Sequence, residues 1–346
     1  MATTPTRPTS RYLGAATALA LCLGLAACGG ADDEQTRAAS AVPIAEQPNG
    51  APADPDTWPL TGLEVARGSS SQKHPVLVLK MDNTPASAPQ VGLGSADLVV
   101  EELVEGGMTR LAAFYYSKVP QDAGPVRSMR ASDIGIVAPV GGDMVTSGAA
   151  GVTISRVQRA GIDFFAEGAP GFYREGARSA PYNLFVDLAE VGHEASHAKA
   201  ARPADYLPWG KPADLPAGQP AGSLAATFSG GHTTSWTHEG TGYRNVGSFA
   251  AEGDEFVPET VLVLRVPVGD AGYRDPAGNP VPETQFTGKG EAMVFHDGRL
   301  VRGTWSKKGL EAPLDLSTQA GPLTVPAGKV WIELVPQDGG EVTFQP

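Results

Sequence analysis

Apolar positions in this chain come in short runs cut by Gly and Pro, the pattern of a strand-rich body. Pro75 to Met81 (PVLVLKM) is almost continuously apolar and predicts a buried strand. Ala96 to Val104 and Thr109 to Ser117 predict two more, joined through Gly106-Gly107, a natural hairpin turn. Ser132 to Pro139 suits either strand or helix. Gly151 to Ala160 places Val152, Ile154, Val157 and Ala160 at helical spacing, and Tyr182 to Ala200, carrying Leu184, Phe185, Leu188 and Val191, is the strongest helical candidate. Between about Ala201 and Gly222 the composition shifts to Pro, Gly, Ala and Asp, which marks a boundary. Beyond it lie β-rich runs at 223–228, 259–266, 291–295, 300–305 and 330–334, with Asp297-Gly298 as a tight hairpin turn. The expected architecture is an α/β (α+β) N-terminal domain at 57–200, a linker at 201–222, and a smaller, mainly antiparallel β domain at 223–346. No internal repeat is visible.

The first residues read as an address. Arg7 and Arg11 precede a compact apolar stretch, Leu13 to Leu25, and then Leu25-Ala26-Ala27-Cys28. That order is a secretory signal over 1–27, and its apolar part is shorter than the roughly 20 residues a membrane span takes. The Leu-Ala-Ala-Cys ending resembles the lipobox of bacterial lipoproteins, which implies acylation of Cys28 after cleavage. Of the two cysteines, Cys22 lies in the signal, so the mature chain is expected to hold no internal disulfide. Residues 28–56 are acidic, rich in Ala, Pro and Gly and without apolar periodicity, as in a disordered tether. The expectation is an exported protein, lipid-anchored to the outer face of the cell membrane. With 26 basic against 38 acidic residues and no basic run, nucleic acid is a poor partner.

Candidate chemistry centres on arginine. From Gly106 to Asn183 the basic residues are Arg110, Lys118, Arg127, Arg130, Arg156, Arg159, Arg174 and Arg178, seven of eight being Arg. Gly124-Pro-Val-Arg-Ser-Met-Arg130 follows a predicted strand and places two arginines beside Ser128 and Asp133. Arg forks suit bidentate recognition of carboxylate or phosphate. The plainer alternative is internal pairing with Asp82, Glu101, Glu102, Glu105 or Asp133. Glu101 and Glu102 occupy consecutive strand positions and so face opposite sides, which means they do not form a catalytic pair by themselves.

An ordered series of motifs carries a family resemblance. Lys80-Met-Asp82-Asn83, Pro89-Gln-Val-Gly-Leu93, Ala96 to Glu101, Gly106-Gly-Met-Thr-Arg110 and Gly124 to Arg130 resemble the N-terminal signature of the YerB-like lipoproteins, a bacterial family built on a domain of unknown function (3048). Phe172-Tyr-Arg174 and Arg178-Ser-Ala-Pro-Tyr-Asn183 are similar to a later element, with Tyr182 where the family commonly has His. Gly288-Lys-Gly290, Asp297-Gly298, Gly303 to Lys307 and Gly328 to Glu333 resemble its C-terminal domain. The resemblance runs from about Trp58 to the end and implies two tandem domains on a lipoprotein, with no established activity.

His193-Glu-Ala-Ser-His197 has the spacing of a zinc-protease helix, in which His193 and His197 share a face beside Glu194. The metzincin continuation fails, since Ala200 and Pro203 stand where Gly and His are needed, and no metal is expected there. Ser128, Ser132, Ser147 and Ser155 lack a nucleophile-elbow context. Gly141-Gly142-Asp143 and Ser147-Gly148 can line a ligand cleft or form plain turns, and Trp305 and Trp331 are expected to pack a core, with stacking on sugar rings as the alternative. The leading expectation is a binding module for an anionic envelope ligand, a phosphate or carboxylate on a cell-wall glycan or lipid carrier. Arg110, Arg127, Arg130, Arg174 and Arg178 would hold it, supported by Asp82, Asn83, Glu101, Ser128, Asp133 and Asn183. The alternatives are a phosphotransferase or hydrolase using the same arginines, with Asp82 or Asp133 as base or ligand of a divalent cation, and a scaffold for another envelope protein. The cofactor is otherwise unspecified.

Overall fold

A computed structural model describes residues 56–66, 74–195 and 201–346. Cys28 and the expected signal and tether lie outside the described residues, apart from Asp56, as does His197. In chain order the main elements are β1 (Leu77–Asp82), β2 (Leu98–Leu103), β3 (Thr109–Tyr115), α1 (Asp133–Val137), β4 (Asp143–Thr146), α2 (Gly151–Arg159), β5 (Phe164–Ala166), β6 (Phe172–Arg174), β7 (Leu184–Asp187) and α3 (Leu188–Glu194). There follow β8 (Ser223–Ser229), β9 (His232–Glu239), β10 (Gly242–Asn245), β11 (Thr260–Val266), β12 (Val268–Arg274), β13 (Pro280–Thr284), β14 (Gly288–His296), β15 (Arg299–Lys307), β16 (Asp315–Thr318), β17 (Val330–Pro336) and β18 (Glu341–Gln345).

One large mixed sheet organises the body, in the order β16-β15-β14-β11-β17-β2-β3-β1-β4-β5, with short strands at 219–220 and 321–322 added. β17, near the C-terminus, lies parallel to both β2 and β11 and so joins the two halves of the sequence into one sheet. β1, β2, β4, β5, β11 and β17 all point the same way, with β3 antiparallel between β1 and β2. Their carboxyl ends therefore share one edge of the sheet.

Both faces of the centre are covered, which is why β1 and β3 are buried at every position. On one face Leu77, Leu79, Val99 and Val263 pack with Leu224, Phe228 and Trp236 of a four-stranded sheet, β10-β9-β8-β18. On the other, Val78, Val100, Leu262 and Ile332 pack with Ile136, Val157, Tyr206 and Trp305. Residues 201–222 take part in that core. Tyr206 and Leu207 are buried, the Tyr206 hydroxyl donates to the Ile136 carbonyl at 3.0 Å, and Trp209 pairs with Val325.

The N-terminal half is a mixed sheet with short helices, α2 being nine residues long, and the C-terminal half is largely antiparallel. The helix expected over 182–200 is shorter than its apolar spacing suggests. Leu184–Asp187 is instead a strand paired with Phe172–Arg174, and Asp187 caps the following helix by accepting from the Glu190 amide at 3.0 Å. The spacing of Leu184, Phe185, Leu188 and Val191 serves a buried strand followed by two turns of helix equally well. Ser132–Pro139 resolves as helix.

Candidate functional site

The arginines divide into two groups. Arg110 starts β3, and Arg130 lies between β3 and α1; both reach Glu105 in the β2–β3 turn. Arg130 Nε donates to Glu105 Oε2 at 2.8 Å and its Nη2 to Oε1, while Arg110 Nη2 donates to Oε1 at 2.9 Å. Burial works against a charge on Glu105. Hydrogen bonds from Arg130 and the charges of both arginines overcome that and hold its carboxyl down at about 2. Arg110 is pushed down to about 10 by burial and by Arg130, with Glu105 opposing. Arg127 Nε lies 2.8 Å from Asp82 Oδ2, and its guanidinium sits over the Tyr182 ring at 5.3 Å.

Arg174 and Arg178 form the second group, around β6 and β7. Arg174 pairs with Glu167 at 2.6 Å and donates to Asn183 Oδ1 at 2.6 Å. Arg178 pairs with Glu175, bonds the carbonyls of Ser87 and Pro89, and lies over the Phe185 ring. The five arginines thus do not converge on one point, and each has an internal carboxylate.

Glu101 and Glu102 do face opposite sides of the sheet, each into its own buried cluster. Glu102 and Asp133 share Lys80, whose Nζ donates to Asp133 Oδ1 at 2.7 Å, and all three side chains are buried. Burial and then Asp133 push the Glu102 carboxyl up to about 7, against the pull of Lys80. Glu101 stands opposite Glu333 in the β2–β17 register. It accepts from Thr109 (2.7 Å), Asn83 (3.0 Å), Thr234 (3.0 Å) and Trp331 (3.3 Å), and His232 Nε2 lies 2.8 Å away. Glu333 Oε1 accepts from Trp236 at 2.7 Å, but its Oε2 is buried with no conventional partner among the described residues. Burial, then the charge of Glu101, raises Glu333 well above the usual carboxyl range. Burial alone would raise Glu101 too, but His232 holds it below normal. A proton on Glu333, shared with Glu101, satisfies both groups.

The opening on this edge is a half-open cleft of about 490 Å³, lined by Ser128, Arg130, Ser147, Ala149, Tyr273 and Arg274 among others. Its floor is the Ser147-Gly-Ala-Ala-Gly151 loop, which leads from the carboxyl end of β4 into α2. Its outer wall is the β12–β13 hairpin, tied to α2 by Arg156 with Glu283 (2.7 Å) and by Thr153 with Tyr273 (3.0 Å). The Ala150 N-cap of α2 supplies no side-chain acceptor to the first-turn N–H groups. Ser128 and Ser147 hydroxyls lie 3.2 Å apart. Sequence reading reached Ser128, Arg130 and Ser147 of this lining, whereas Gly141-Gly142-Asp143 lies at the opposite, amino end of β4 and takes no part in it. It missed Tyr273 and Arg274, because a hairpin arm folding back from the second half leaves no local signal, and it missed Glu333 and His232 for the same reason.

His193 and Glu194 are exposed at the end of α3. Among the described residues no group of three or more His, Cys, Asp or Glu is placed to hold a metal ion. Asp82 and Asp133, the carboxylates a phosphoryl-transfer reading needs, are engaged by Arg127 and Lys80. Trp305 and Trp331 are buried and pack the core as expected.

Residues 60–201 match the sequence profile of the N-terminal domain, and 224–332 that of the C-terminal domain, of the family described as "Protein of unknown function (DUF3048)". The "Putative lipoprotein YerB" of Bacillus subtilis (strain 168) is 44% identical over 72 residues, a stretch covering 21% of this chain and 21% of that protein. The crystal structure of the YerB protein from Bacillus subtilis superposes with a TM-score of 0.68 at 19% identity, covering 83% of this chain and 99% of that one. That likeness speaks to the fold. With both profiles matched in order and the fold shared, the chain belongs to the DUF3048 family, whose proteins are of unknown function.

Proposed function

We propose that this protein is an exported lipoprotein, held to the outer face of the bacterial membrane by lipid on Cys28. Its body binds an anionic group, a phosphate or carboxylate on a cell-wall glycan or lipid-linked ligand. The lipobox-like Leu25-Ala-Ala-Cys28 and the "lipoprotein" in the relative's name support the anchoring. Among the described residues no helix is long and apolar enough to cross a membrane.

The observation that carries the binding reading is the cleft. Arg130 and Arg274 line it from opposite walls, with two serine hydroxyls and a helix start without a side-chain cap between them. It lies where the chain leaves the carboxyl end of β4, the end at which open sheets with parallel strands place their ligands. Arg130 is already paired with Glu105, so it contributes orientation and residual N–H donors, and Arg274 contributes the free charge. The test is retention of the purified protein on isolated envelope fractions. Arg274→Gln combined with Ser147→Val is expected to lower retention severalfold, and unchanged retention overturns the reading.

A second reading has its own observation. Arg110, Arg127 and Arg130 all end on internal carboxylates, as a scaffold using its arginines for rigidity requires. Envelope retention that survives the cleft variants but is lost on removing the C-terminal sheet surface favours that role.

A further inference from the structure

We propose that the anion held in the cleft is a single carboxylate, at the C-terminus of a short peptide with small apolar side chains, and not a phosphate monoester. This rests on reading the cleft as a binding site, and it narrows the class of ligand.

Charge balance is the first argument. Around the cleft the cations are Arg110, Arg127, Arg130 and Arg274. Arg110 and Arg130 share Glu105, Arg127 is paired with Asp82, and Asp275 lies in the lining with its carboxylate held by Asn279 at 2.7 and 3.0 Å. Four cations against three anions leave one positive charge. The next layer down, Lys80 between Glu102 and Asp133, adds no positive surplus. A monoanion neutralises that site. A phosphate monoester, with about 1.5 to 2 negative charges at neutral pH, would bring an uncompensated charge next to Glu105 and Asp275.

Geometry is the second. Arg274 is exposed and, among the described residues, forms no ion pair; only its Nη1 is engaged, by the Gly278 carbonyl at 2.7 Å. The rest of its fork is free for bidentate carboxylate. Beside it the walls include Ala149, Ala150, Pro276 and Val281, a small apolar surface that matches short apolar side chains. Ser128 and Ser147 each combine a donor with an acceptor, which suits a peptide amide. A side chain at Gly148 or Gly151 would meet nothing within 4 Å, so there is room above the loop for an extended chain.

The experiment is calorimetric titration of the detergent-solubilised full chain with five probes. They are N-acetyl-Ala-Ala in its L and D forms, its C-terminal amide, inorganic phosphate and glycerol phosphate. The acid in at least one chirality is expected to bind with a Kd on the order of 1 mM or tighter. The amide and both phosphates should bind at least about tenfold more weakly. Arg274→Gln should remove the preference for acid over amide while leaving the circular dichroism spectrum unchanged. Glycerol phosphate binding more tightly than the peptide acid, and losing affinity in Arg274→Gln, keeps the anion site but overturns the carboxylate assignment. Equal binding of acid and amide also overturns it. No binding of any probe overturns both readings.

Discussion

Replacing Glu333 by Gln isolates the proton that joins the two halves of the sheet. Glu333 Oε2 is buried beside Glu101 without a conventional partner among the described residues, while Oε1 accepts from Trp236 at 2.7 Å. If Glu333 carries a proton, that proton is the missing hydrogen bond. Gln keeps the acceptor for Trp236 and supplies an N–H toward Glu101, so packing and hydrogen bonding survive but titration does not. The sign follows from linkage. The folded-state value of Glu333 is raised above the free-chain value of 4.5, so above pH 4.5 the folded state holds a proton that the unfolded chain has lost. Stability of the natural protein therefore falls as pH rises, by about 1.4 kcal/mol per pH unit from this group, until the folded carboxyl itself ionises. Glu102, raised to about 7, adds a second such contribution over the same window. His232 is raised by Glu101 against the effect of burial, so its contribution is complete below about 6.5 and is lost as pH rises through its folded-state value. The natural protein minus Glu333→Gln cancels the last two. Urea unfolding followed by tryptophan fluorescence reads the cluster directly, since Trp236 and Trp331 donate to these carboxylates. Glu333→Gln is expected to match the natural protein near pH 4 and to gain on it as pH rises above 4.5. A difference that does not change with pH refutes the shared proton, and a variant strongly destabilised at every pH refutes the claim that Gln restores the bonds.

Lys80→Met leaves Glu102 and Asp133 facing each other in a dry core, and it is expected to cost about 3–5 kcal/mol; a thermal melt of Lys80→Met/Glu102→Gln should recover part of the loss. Tyr206→Ala removes a buried ring stacked edge-on against Phe114 and its bond to the Ile136 carbonyl. A loss of about 3–5 kcal/mol, with new proteolytic cleavage within 201–222, identifies that segment as part of the core; near-neutral behaviour identifies it as a tether. Gly92 has φ of +85°, and an added Cβ would lie 2.7 Å from the Asp122 carbonyl oxygen. Gly92→Ala is expected to destabilise by more than about 1 kcal/mol, measurable as a lowered urea midpoint.

The elements that rest on local pattern were readable from residues alone. The runs at 75–81, 96–104 and 109–117 are strands because apolar, β-branched stretches of that length bury best in a sheet, and Gly106-Gly107 and Asp297-Gly298 turn because positive φ favours Gly and tolerates Asp. Residue types likewise identified an arginine-rich segment and the opposed faces of Glu101 and Glu102. The reading failed at 182–200, where one apolar spacing fits two structures and pairing with a distant strand selects between them.

Sequence alone thus determined where the long apolar strands form, which residues are charged, and that Leu25 to Cys28 resembles a lipobox. Tertiary structure alone decided partners. Val330–Pro336 is legible as a strand, but nothing local tells it to lie between β2 and β11, and only that placement sets Glu333 against Glu101. In the same way Arg110 and Arg130 are visible as cations, while their shared commitment to Glu105 comes from a turn closing beneath them. Arg274 enters the cleft because a hairpin arm folds back over α2. Strand propensity is a property of a few neighbouring residues. Charge balance at a site is a sum over residues that only the folded chain brings together.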